Sequence, residues 1–100
     1  MTSTKCQIGV ENMFINKTAN GRNNVCGIMV AKLRKAEGIS QRELADRLQR
    51  DGLDVDKNAV QRIESGQRFV TDIELLHLSR VLRVSLEELL SGEEQNASVL

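Results

Sequence analysis

The chain has no proline, no tryptophan, no tyrosine and only two phenylalanines. Without proline, no helical stretch meets that breaker. With almost no aromatics, a core must be built from Leu, Ile, Val, Ala and Met. Such a small core is often helped by a partner subunit. Charge of one sign is also missing: 14 basic and 14 acidic side chains cancel. That excludes an overall basic coat but not a local basic patch. No apolar run is long enough to cross a bilayer, and no charged-then-apolar leader opens the chain. The expectation is a soluble cytoplasmic protein with no membrane part. Cys6 and Cys26 do not form a CxxC pair, and the single histidine, His77, lies far along the chain. A zinc site needs about four ligands at characteristic spacing, so no metal is expected. Two free thiols in a reducing compartment fit better.

One hundred residues make one domain at most. Residues 1–24 crowd Asn12, Asn16, Asn20, Asn23 and Asn24 with Gly9 and Gly21, and read as an N-terminal arm, disordered in isolation. Residues 93–100 are a polar tail. Between them, residues 25–92 are helical in pattern. Val25, Ile28, Met29, Leu33 and Ala36 share one face of a first helix capped by Asn24 and ended by Gly38. Ser40 with Glu43, Thr71 with Glu74 and Ser85 with Glu88 are capping boxes, and Asp56 caps another helix. Ile39 and Leu44, Val55 and Val60, Val70 and Leu75, and Val84 and Leu89 stand where hydrophobic staples pack. Gly52 and Gly66 are natural stops. The reading is all-α, with five short helices and no strand.

No nucleophile with a base, no pair of buried carboxylates and no metal cluster stands out, so no enzyme and no cofactor is expected. The third helix, Lys57–Ser65, is more informative. Val60 and Ile63 turn inward, so Lys57, Asn58, Gln61 and Arg62 largely face outward. Asn and Gln can bond adenine in bidentate fashion, and Arg or Lys can bond guanine. Gln41 and Arg42 before this helix, and Gln67 and Arg68 after it, suit phosphate. Free amides at the start of the second helix add a weak anion site.

The segments LRKAEGISQRELADRL, AVQRIESGQR and ELLHLSRVLRVSLEELL occur in that order. Together they resemble the phage-repressor/Cro-type helix-turn-helix family, also called the XRE family. The resemblance covers residues 25–91 and implies a five-helix lambda-repressor-like DNA-binding domain. By that resemblance Gln41 contacts DNA backbone and supports the third helix. Lys57, Asn58, Gln61 and Arg62 then read bases or nearby phosphates, and Arg34 pairs with Glu64 to tie helix one to helix three. Double-stranded DNA is the implied partner, met by a homodimer on a two-fold operator. One departure stands out. Leu44 and Val60 lie sixteen positions apart, several more than in most relatives, so the turn between helices two and three is enlarged within residues 49–57. A second reading keeps the fold as a protein-interaction module of antitoxin-like type, with the N-terminal arm binding a protein partner.

Overall fold

The computed structural model of the chain describes residues 17–18 and 21–91. Most of the expected arm, the whole tail and Cys6 lie outside the described residues. Five helices follow one another: α1 (Gly27–Ala36), α2 (Gln41–Arg50), α3 (Lys57–Ser65), α4 (Asp72–Leu82) and α5 (Leu86–Leu90). There is no strand among the described residues.

Four of the starts rest on local cap chemistry. Ser40, Asp56, Thr71 and Ser85 each accept the N–H three residues on, at 2.8–3.2 Å. Each such cap contributes roughly 0.5–2 kcal/mol. Only Thr71 and Glu74 form the reciprocal box, with the Thr71 N–H donating back to Glu74. Glu43 instead takes Arg47 at 3.1 Å, one turn further along α2.

The first helix departs from the sequence reading. The cap position is Cys26, which makes no side-chain cap. Asn24 reaches past it to accept the Gly27 N–H at 2.8 Å. The inward face is also rotated. Cys26 and Val30 are fully buried and Leu33 packs on the core, while Ile28 and Met29 are half-buried and Ala36 is exposed. The cause is α3. A Cβ at Gly27 would sit 2.0 Å from the Ile63 carbonyl oxygen, so backbone meets backbone there and sets the rotation.

The core is the set Cys26, Val30, Leu44, Ala45, Leu48, Val55, Ala59, Val60, Ile63, Leu78, Leu82 and Leu89. The α3 helix packs on α1 and α2, and α4 on α1 and α2, while α5 closes the end against α1 and α4. Burial pushes the Cys26 thiol up to about 11, despite a lowering backbone hydrogen bond. It is a small apolar core group, not a reactive one.

The enlarged connection, residues 51–56, is ordered by specific bonds. Gly52 has φ +100, a conformation that costs glycine little. The Leu53 N–H donates to the Leu48 carbonyl at 2.9 Å and the Gly52 N–H to that of Gln49 at 3.0 Å. This is the Schellman pattern, and it turns Leu53 back onto the core. The Gln49 side chain donates to the Val55 carbonyl at 2.6 Å. Asp51 lies at the C-terminal end of α2, where the helix dipole disfavours an acid. It is compensated from α4: His77 Nδ1 lies 2.8 Å and Arg80 Nε 3.1 Å from its Oδ2. The hydrogen bond from His77, then that from Arg80, holds the Asp51 carboxyl below its ordinary value.

A carboxylate depressed in this way stabilises the fold above its unfolded pKa, about 3.9. The contribution disappears as the pH falls through the folded value. Asp51→Asn is expected to be less stable than the parent near neutral pH. The two urea-unfolding free energies should converge as the pH falls into the acid range; an offset that persists there would remove the Asp51 charge as its cause.

Candidate nucleic-acid interface

The α3 helix has nine residues, too few to be stable alone. Ala59, Val60 and Ile63 bury one side of it. Lys57, Asn58, Gln61, Arg62 and Ser65 are exposed on the opposite side. The sequence reading places the first four together, and the structure sets them on one continuous outward strip. Lys57 and Asn58 follow the enlarged connection directly, yet they sit in the same helix, begun by the Asp56 cap.

Gln41 and Arg42 open α2. Ser40 occupies the Glu43 N–H, which leaves the amides of the first two residues at the positive end of α2. A cleft lined by Arg42, Asp46, Gln49, Asp56 and Lys57 runs between α2 and the start of α3. Gln41 turns inward as well: its Nε2 donates to Glu64 Oε1 at 3.0 Å.

Glu64 is the centre of this arrangement. Arg34 Nε donates to Glu64 Oε2 at 2.6 Å and Arg34 Nη2 to Oε1 at 3.1 Å, a bidentate pair with side chains only 12% and 8% exposed. Arg34 Nη1 also donates to the Ile39 carbonyl at 2.8 Å. One carboxylate therefore joins α1, the turn after it, the start of α2 and α3. The dipole cost of an acid near the end of α3 is met by a specific cation.

Cations differ in availability. Arg42, Lys57 and Arg62 make no ion pair with a described residue and are exposed. Arg68 is otherwise: its Nη2 lies 2.8 Å from Glu74 Oε2, so its charge is engaged, and its Nε is buried without a partner. Gln67 is exposed just past α3. A second cluster, Arg47, Arg50, Arg80 and Arg83, surrounds Asp51 on the other flank of α2. Glu37, Glu43 and Asp51 occupy all of these except Arg83. No group of described residues could hold a metal ion. No described helix is long and apolar enough to cross a membrane.

Sequence reasoning missed one part of the site. Arg22, Asn23 and Asn24, assigned to the arm, are hydrogen-bonded to the exit of α3. The signals available were Asn24 itself, buried at 7% exposure, and the glycines at 27 and 66. Asn24 has an ordinary local reading as a cap and Gly66 as a helix stop, which concealed the longer-range role.

Residues 30–89 match the family model Helix-turn-helix (HTH_3). A search of curated protein sequences finds no match. Among solved structures, the chain is similar to the restriction-modification controller protein C.AhdI from Aeromonas hydrophila. The identity is 33% and the TM-score 0.56, over 64% of this chain and 86% of that one. It is also similar to the P22 c2 repressor, solved in complex with the synthetic operator 9T. There the identity is 26% and the TM-score 0.58, over 69% of this chain and 97% of that one.

Removing one half of a buried pair leaves the other charge uncompensated. Glu64→Ala is expected to lose about 3–5 kcal/mol of unfolding free energy. Denaturant titration of the purified variant checks this. A loss of roughly one exposed ion pair, under about 1 kcal/mol, would show that the three helices do not depend on Glu64.

Proposed function

Because the chain belongs to the helix-turn-helix family, a family of DNA-binding regulators rather than enzymes, we propose that it is a sequence-specific transcriptional regulator of double-stranded DNA, acting as a repressor. The α3 helix enters the major groove with Lys57, Asn58, Gln61 and Arg62 toward base edges. The observation that carries this reading is the outward strip of α3: four side chains with base-reading chemistry, exposed on the side opposite the core contact. Arg42 and Lys57 flank the cleft beside it and suit phosphate. Gln67 continues the strip, and Arg68 contributes less charge because Glu74 holds it. The controller C.AhdI and the operator-bound c2 repressor support the same role. Such a role places the protein in the compartment that holds the chromosome.

Selection of bound sequences from a random duplex pool tests the proposal, with a recovered palindrome as the expected result. On that operator Arg62→Ala should lose roughly 1–3 kcal/mol and relax specificity at one position. Affinity should fall with rising salt through Arg42, Lys57 and Arg62. Binding of Arg62→Ala equal to the parent's would overturn the base-reading assignment.

The proposed assembly is a homodimer, matching a two-fold operator. Its support is a set of exposed apolar side chains: Phe69, Ile73 and Leu76 in and before α4, and Leu86 and Leu90 on α5. Of these, Ile73 is the most exposed, at 62%. Sedimentation equilibrium at micromolar concentration should show a dimer. Ile73→Glu should shift it to monomer with unfolding unchanged, and a parent that is monomeric throughout would remove the preformed dimer.

A further inference from the structure

We propose that Arg22, Asn23 and Asn24 form a strap that positions the reading helix, with Arg22 as its principal positioning residue; this rests on α3 being the helix that meets DNA. The turn at Gly66 caps part of the α3 end, with the Arg62 and Ile63 carbonyls accepting backbone N–H groups of Gly66, Gln67 and Arg68. The strap adds side-chain donors there and supplies the Glu64 carbonyl. Arg22 Nη2 donates to the Glu64 carbonyl at 2.8 Å and lies 3.4 Å from that of Ile63. Asn24 Nδ2 donates to the Ile63 and Arg68 carbonyls at 3.0 and 2.7 Å. The Asn23 N–H donates to the Gly66 carbonyl at 2.7 Å, and its Nδ2 to that of Gln67 at 2.8 Å. A guanidinium also stands at the negative end of the α3 dipole, the favourable end for a cation.

The surroundings are shaped for this contact. Gly66 has φ +85, and a Cβ there would lie 2.8 Å from Arg22 Cζ. A Cβ at Gly27 would lie 2.5 Å from Arg22 Nη2 and 2.7 Å from Asn24 Oδ1, besides striking the Ile63 carbonyl. The same Asn24 side chain accepts from the Gly27 N–H, so the start of α1 and the exit of α3 are held through one amide. The α3 axis is thus pinned at both ends, the exit being held twice, through the Glu64 carboxylate and through its carbonyls. Asp56 and Val55 hold its start, Arg34 and Gln41 hold Glu64, and the strap holds its exit. Groove reading depends on where the side chains of Gln61 and Arg62 arrive. Without the strap this end is held by the Glu64 carboxylate alone, which leaves the backbone that carries Gln61 and Arg62 freer to shift.

The parent, Arg22→Ala and Arg22→Lys are titrated with the operator recovered by selection and with a scrambled duplex of equal length, at two salt concentrations. Amide exchange across α3 is measured on each without DNA. The expected result for Arg22→Ala is a loss of about tenfold on the operator, the size of one charge-assisted hydrogen bond. Scrambled-duplex affinity should stay within about twofold and the salt slope should not change, since no phosphate contact is removed. Exchange should quicken at Ser65, Gly66 and Gln67. Arg22→Lys, which keeps the charge but not the fork, should fall between; were Arg22→Ala unfolded, the lysine variant carries the same comparison. Operator binding equal to the parent's would overturn the strap. So would equal losses on both duplexes with a shallower salt slope, which would make Arg22 a phosphate contact. If the parent itself shows no operator preference, the DNA reading fails separately, and unchanged exchange at the α3 exit is then the result that overturns the strap.

Discussion

Arg34 and Gln41 both donate to Glu64, so α1 and α2 meet α3 on one buried carboxylate. The rest of the structure depends on that junction. The third helix is short, polar on its free side and apolar only at Ala59, Val60 and Ile63. Hydrophobic contact alone would let so narrow a face rock against the core. A bidentate guanidinium–carboxylate pair fixes direction as well as distance. The pair gains little over an apolar substitute in free energy, because both charges are desolvated. Its effect is to make one orientation of α3 far better than its neighbours.

The lengthened connection before α3 shows how that orientation survives extra residues. Several additional positions would ordinarily loosen a helix-turn-helix. Here Leu53 and Val55 are returned to the core, Gln49 bonds the Val55 carbonyl, and Asp51 is bonded from α4 by His77 and Arg80. Most of the connection thus either packs or completes a hydrogen bond, Asp54 excepted. The outward strip of α3 is left as continuous as it would be after a tight turn. The opposite end of the helix receives the same treatment from Arg22, Asn23 and Asn24, so both ends are tied and only the outward strip is free.

Much of this was legible residue by residue. Ser40, Asp56, Thr71 and Ser85 each announced a helix start because a cap acts over three residues and needs nothing distant. Val60 and Ile63 announced the buried side of α3 by their spacing, and with it the exposure of Gln61 and Arg62. The first helix was read less well. Asn24 looked like its cap, and it does bond Gly27, but its amide nitrogen serves Ile63 and Arg68, some forty positions away. The apolar residues near it could be grouped on more than one face, and the approach of α3 to Gly27 selected the face that includes Cys26 and Val30.

By itself the sequence determined the order of the helices, the starts and inward faces of α2 to α5, and the family they form, because these follow from interactions spanning a few residues; the start and inward face of α1 did not. Tertiary structure decided which charges are free. Arg62 and Arg68 stand six positions apart and look alike in sequence, yet Arg62 has no ion-pair partner among the described residues and Arg68 is held by Glu74. It also turned Arg22–Asn24 from the end of an arm into part of the domain. The physical reason is the same in each case: a long polar side chain can reach several partners, and only the packing of distant elements brings one of them within hydrogen-bonding distance.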